Sequence, residues 1–146
     1  MEFKSLDYQL QPYTNPELIK ENGPQVFRSS RGVEVKDIDG NSYIEGMSGL
    51  WCASLGFNET ELVEAAITQM KKLPFYHSFT GKTCESTINL SEKLIEVAPN
   101  NLKKIFFCNS GSEANDTAIK IVWYYHASLG NPQKRKIISR KGSYHG

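Results

Sequence analysis

Charge of one sign is what this sequence lacks most plainly. Seventeen Lys and Arg face sixteen Asp and Glu, for a formal net charge of +1. Affinity for a phosphate backbone rests on clustered, uncompensated cations, so neither a nucleic acid nor an anionic membrane is an expected partner. Long apolar runs are also missing. No stretch of about eighteen apolar residues occurs, which excludes a transmembrane helix. The opening MEFKSLDYQL has no apolar signal core, so it gives no support to secretion by that route. Cysteine is scarce and oddly numbered: Cys52, Cys84 and Cys108 form no CxxC pair. That argues against a disulfide scaffold and a zinc ribbon alike. Three buried thiols in a reducing, cytoplasmic setting are the expectation. His77, His126 and His145 share no ligand spacing with one another or with the cysteines, so no metal site is predicted. The P-loop and GxGxxG patterns are absent, and neither Ser110 nor Ser112 is flanked by glycines as a nucleophile elbow requires.

What is present suffices for a core: 39% of residues are hydrophobic and 11% aromatic over 146 residues. By length this is one modest domain or a piece of something larger. Residues 1–31, with Pro12, Pro16 and Pro24, show little periodicity and read as an arm or long loop. From Gly32, Val33, Val35 and Ile38 are followed by Tyr43 and Ile44 across Asp39-Gly40-Asn41, which predicts a β-hairpin. Gly46, Gly49 and Gly56 then punctuate an apolar loop that needs a partner surface or ligand over Leu50 and Trp51. Asn58 is placed to cap a helix, with Glu61 in the capping-box position. Leu62, Val63, Ala66, Ile67 and Met70 form its apolar stripe, and Pro74 follows its end. The aromatic run PFYHSFTG (74–81) reads as another packed loop, and a second helix is expected from about Thr83 to Ala98.

The last third has a different pattern. KKIFFC (103–108) is a short apolar run of the kind found in strands covered on both faces. NSGSEAN follows at once, then a helix with a predicted buried stripe of Ala114, Ala118, Ile121, Val122 and Tyr125, ended by Gly130 and Pro132. KIISR (136–140) is a second strand candidate. Strand, turn, helix, strand is the α/β unit of a parallel sheet. Because the text stops soon after that strand, a longer parent chain is expected.

Chemistry can sit at the turn Asn109-Ser110-Gly111-Ser112. A helix start presents unpaired N–H groups and the positive end of the macrodipole, so it binds phosphate readily. Gly111 permits close approach, and Ser110 and Ser112 add hydroxyls. The competing reading is that Ser112 is an ordinary N-cap and Gly111 a turn residue. Tyr144, after KIISR, falls at the same carboxyl edge and can stack on a flat ligand or simply pack. Trp51 can wall a pocket.

The runs DIDGNSYIEGMSGLWCASLG, QMKKLPFYHSFTG, FFCNSGSEANDTAIK and RKIISRKGSYHG closely resemble the class III, pyridoxal-phosphate-dependent aminotransferases, ω-aminotransferases above all. Four ordered motifs spread over nearly the whole chain make the resemblance specific. It implies an α/β, fold type I transferase and an obligate homodimer, with pyridoxal 5'-phosphate (PLP) as cofactor. Residues 1–31 would be an N-terminal arm, 32–82 part of the small domain with its connecting helix, and 83–146 the start of the large PLP-binding domain. Ser110, Gly111 and Ser112 match the turn that binds the cofactor phosphate, and Tyr144 the aromatic stacked on the pyridine ring. Trp51, Tyr13 and Phe79 match substrate-pocket aromatics, Phe79 reaching the partner subunit's site. The implied reaction moves an amino group from an amine or ω-amino acid to a keto acid such as pyruvate. The alternatives are a class III aminomutase or racemase, or a non-catalytic remnant. None of the thirteen lysines matches the Schiff-base lysine, and the acidic partner of the pyridine nitrogen is likewise unmatched. Both are expected beyond Gly146, so the 146 residues alone are expected to be inactive.

Overall fold

The computed structural model describes residues 8–144. Expectations that fall on the first seven residues, on His145 or on Gly146 lie outside that range. Two compact units are present, the first running to Phe75 and the second starting at Tyr76.

In the first unit, helix α1 (Pro16–Asn22) starts where Asn15 caps it, accepting from the Glu17 amide at 3.0 Å, with Pro16 in the first turn. Strands β1 (Phe27–Arg31), β2 (Glu34–Asp37) and β3 (Ser42–Ile44) form an antiparallel sheet in the order β1-β2-β3. The predicted hairpin is β2–β3. The first thirty-one residues are not all loop, because they also supply α1 and β1. Strand β1 was hard to foresee, as FRSSR has no period-2 apolar pattern and only pairing with β2 makes it a strand. Gly32 opens the two-residue connection to β2 at φ 59, a conformation that favours glycine.

The β2–β3 turn is built around Asp37, which is only 7% exposed. One carboxylate oxygen accepts from the Asp39 amide at 3.0 Å and the Asn41 amide at 2.8 Å. The other accepts from the Asn41 side chain at 3.0 Å and the Tyr43 hydroxyl at 2.9 Å. The Asn41 side-chain bond, seconded by the backbone amides and Tyr43, holds the Asp37 carboxyl below the usual carboxylate range against the opposing effect of desolvation. The Tyr43 hydroxyl's own bond to Asp37, with desolvation, raises its pKa. Only the ionised carboxylate can accept all four bonds.

Helix α2 (Ser48–Trp51) is helical in name only, because Gly49 and Leu50 have left-handed dihedrals. Helix α3 (Thr60–Lys72) starts from Glu59, which makes no side-chain cap bond. Asn58 does not cap it, contrary to expectation. Its side-chain amide donates instead to the Ser30 carbonyl, stitching the loop to β1. Gly32 and Phe57 reinforce that seam with reciprocal bonds of 3.0 and 2.7 Å.

The second unit holds α4 (Glu85–Val97) and α5 (Gly111–Ser128), close to the predicted spans. The two strand candidates, 103–108 and 136–140, form no ladder among the described residues. A strand exists through its hydrogen-bonded neighbour, and these runs have none here. The α5 indole holds the second run's approach: Trp123 Nε1 donates to the Arg135 carbonyl at 3.1 Å.

Cover is what both units lack. Val35 is the one hydrophobic residue classed as buried among the described residues. The apolar stripe of α3 faces water, Met70 included, and so does the stripe predicted to be buried on α5, Tyr125 included. Exposed area totals 13334 Å², whereas two separate compact globules of this size would expose about 9,000 Å² together. The buried-thiol expectation fails for the same reason: Cys52 is exposed, and Cys84 and Cys108 are half-buried. No helix among the described residues is long and apolar enough to cross a membrane.

Two outcomes are expected. In the full-length protein, exchange protection of the Asn41 amide holds above about pH 4, the unfolded carboxylate value, and is lost as pH falls through the lower folded value of Asp37. In D37A the protection is weak at every pH. Residues 1–146 expressed alone should bind a hydrophobic dye and unfold without a sharp transition, which dye fluorescence and calorimetry would read.

Candidate functional site

In the second unit the apolar run ending at Cys108 meets α5 through Asn109 and Ser110. Ser110, not Ser112, is the N-cap. Its backbone is extended (φ −154, ψ 164), and its hydroxyl oxygen accepts from the Glu113 amide at 3.2 Å. Glu113 reaches back, its carboxylate accepting from the Asn109 amide at 2.9 Å and the Asn109 side chain at 3.2 Å. This is a capping box shifted by one residue. Ser110-Gly111-Ser112-Glu113 has its S-x-x-E signature, a signal that the sequence reading passed over.

The cap settles where the first-turn donors go. Ser110 takes the Glu113 amide, and the Ser110 carbonyl takes the Ala114 amide at 3.0 Å. The amides of Gly111 and Ser112 make no hydrogen bond among the described residues. They stand exposed at the positive end of an 18-residue helix. The Ser110 hydroxyl accepts at its oxygen, so its proton remains available to donate. The N-cap and phosphate readings are therefore compatible: the cap leaves two amides and one hydroxyl facing solvent.

Tyr144 is exposed and lines an open depression of about 680 Å³ along α5. Asn115, Ala118 and Ile119 form the helix side, and Ile138 and Arg140 the other. Asn115 lies about one turn beyond Ser112, so the ring borders the N-terminal half of the helix that carries the serine turn. Neither Asn115 nor Arg140 was singled out from sequence, where nothing distinguishes them from helix surface and strand end. Lys120, the lysine nearest the turn in sequence, pairs with Asp116 at 2.6 Å on the helix surface.

The other predicted residues are exposed on irregular segments. Phe79 is in the second unit, where its amide donates to His77 Nδ1 at 3.2 Å, and the His77 ring stacks on Tyr76 with centroids 4.7 Å apart. Tyr13 and Trp51 are in the first unit, both at positive φ. Ser48, Gly49, Leu50 and Trp51 have φ of 51, 58, 58 and 70, a left-handed turn that costs each residue bearing a Cβ about 1–2 kcal/mol. No pattern in MSGLWCASLG announces such a run.

A helix opening of this kind can take an anion at its free amides, and its geometry alone does not name the ligand. Known proteins narrow it. The family model for Aminotransferase class-III matches residues 19–146, and the chain belongs to that family. It is 52% identical over 124 residues to the vanillin aminotransferase of Capsicum frutescens, a match covering 84% of this chain and 27% of that protein. It is 48% identical over 124 residues to the mitochondrial gamma-aminobutyrate transaminase 1 of Oryza sativa subsp. japonica, covering 84% of this chain and 24% of that one. Among solved structures, the omega transaminase of Pseudomonas jessenii in complex with PMP superposes with a TM-score of 0.92 at 52% identity, covering 98% of this chain and 32% of that chain. The chain thus spans about a quarter to a third of these proteins' lengths. Its fold is the corresponding part of a fold type I transferase, and PLP is the cofactor of the family.

Two substitutions in the full-length protein separate cap from cradle. S110A removes the cap and should lower stability by about 1 kcal/mol without cofactor, read as a thermal midpoint. G111V crowds the two free amides and should weaken PLP retention on dialysis far more than S110A does.

Proposed function

We propose that the full-length protein is a PLP-dependent aminotransferase that moves an amino group from an amine or ω-amino acid to a keto acid such as pyruvate. The observation that carries this reading is the start of α5, where two free amides and a donor-capable serine open an 18-residue helix in a class III chain. The donor set fits PLP. Gly111 and Ser112 amides, with the Ser110 hydroxyl, take the phosphate oxygens at the dipole's positive end, and no side chain at Gly111 obstructs them. Tyr144 offers an exposed ring to stack on the pyridine and fix its orientation. When bound, PLP supplies the electron-accepting ring on which the amino group is carried. The lysine and the acidic residue that complete this chemistry are assigned to sequence after Gly146.

Trp51 and Tyr13 wall the amine side of the substrate pocket, and Phe79 serves the pocket of a partner subunit in a homodimer. Their exposure supports this reading, since each ring stands on a glycine-punctuated or irregular segment that does not pack it. A reducing, cytoplasmic setting rests on the three unpaired cysteines.

The test is to run the two half-reactions apart. An amine donor given to the full-length holoenzyme without acceptor should release about one carbonyl product per site and stop. Adding pyruvate should then restore turnover and produce alanine. A rearranged or racemised amine formed with no keto acid present would instead assign the mutase or racemase chemistry.

A further inference from the structure

We propose that Glu45 is a positioning residue that holds Trp51, and through it sets the bulk of amine that the protein accepts. The inference rests on the reading of Trp51 as a pocket wall. Four successive residues, Ser48 to Trp51, adopt left-handed φ, and three of them bear a Cβ, so the turn does not hold itself. Packing holds it only at Gly49, which the Phe57 ring faces, because Met47, Leu50 and Trp51 are all largely exposed.

Hydrogen bonds remain. The half-buried Glu45 carboxylate accepts from the Met47 amide at 3.0 Å through one oxygen and from the Gly49 amide through the other. Its own backbone is tied to the sheet, the Glu45 amide donating to the Val33 carbonyl at 2.9 Å. The clamp therefore runs from the end of β3 to the start of the left-handed turn. From there the Met47 carbonyl accepts the Trp51 amide at 2.9 Å, and the Ser48 carbonyl accepts the Ala53 amide at 2.7 Å. The only other side chain that hydrogen-bonds to the turn among the described residues is Cys52, whose thiol lies 3.6 Å from the Leu50 carbonyl, a weak donor. Glu45 forms no ion pair among the described residues, so both of its oxygens are committed to these amides. Backbone amides gathered by a left-handed turn make a concavity that suits an anion, and here the anion is internal.

A structural role alone would lower stability and affect all substrates alike. A positioning role changes selectivity. In the full-length holoenzyme, kcat/KM is measured for a small aliphatic amine and for a bulky aryl-bearing amine. E45A should raise the bulky-to-small ratio about tenfold, the order of one pocket contact, with cofactor content unchanged. E45Q, which keeps one acceptor oxygen, should fall between E45A and the parent. W51A should shift the ratio by itself, and E45A added to W51A should shift it no further. If W51A moves the ratio while E45A and E45Q leave it at the parent value, the positioning role is overturned and the pocket reading stands. If W51A leaves the ratio unchanged, the pocket reading fails first. Should E45A not accumulate, E45Q decides alone, and a parent-like ratio overturns the proposal.

Discussion

Asp37 and Val35 are the two residues hidden most completely among those described, at 7% and 8% exposure, and both lie on β2. The first unit is organised from that strand outward. The pleat turns Val35 and Asp37 to one face, and the Asp37 carboxylate converts the following residues into a turn by accepting four hydrogen bonds. Strand β3 is thereby brought back beside β2, with Val35 opposite Tyr43. The end of β3 delivers Glu45, whose carboxylate seizes the next turn in the same manner. Two acidic side chains eight residues apart thus shape a segment that has almost no core. Where burial is scarce, local hydrogen bonds to charged acceptors decide geometry, because such bonds are about twice as strong as neutral ones.

The start of α5 obeys the same rule. Its cap is closed by Ser110, Glu113 and Asn109, residues within five positions of one another. Nothing distant is required to expose the Gly111 and Ser112 amides, so this helix start keeps its shape although the runs on either side of α5 lack neighbours. A helix end is robust in this sense: its donors are fixed by covalent proximity and its field by the helix itself.

That locality also explains what could be read from the sequence. The β2–β3 hairpin, the spans of α3, α4 and α5, and the serine turn each announce themselves within about ten residues, through Asp39-Gly40-Asn41, through Pro74 and Pro99, and through Ser110-Gly111-Ser112. Features that depend on a remote partner were misread or missed. Strand β1 needs β2, and Asn58 looks like a cap until Ser30 is brought beside it. The runs 103–108 and 136–140 have strand composition, yet composition does not supply the neighbour that makes a ladder. Periodicity identified the apolar stripes of α3 and α5 correctly as stripes, but it carries no information on whether a surface lies against them. The left-handed turn at Ser48–Trp51 was illegible for another reason. Only one of its four residues is glycine, and the carboxylate that stabilises it sits three residues before the turn begins.

The uncovered surface and the candidate pocket residues are one physical fact seen twice. A ring that is to meet a ligand or another surface must face solvent and must not sink into its own core. Trp51, Phe79 and Tyr144 meet those terms because the segments carrying them are fixed through their backbones while their rings remain bare: a carboxylate clamp before Trp51, a histidine nitrogen at the Phe79 amide, and a short turn after Arg140. Backbone anchoring leaves a side chain free to meet a ligand or another surface, whereas side-chain packing would use up the same ring. The sparse core is the counterpart of that anchoring, since few side chains in either unit are used up in packing. Each unit has one such backbone-fixed piece: the clamped turn in the first and the capped helix start in the second.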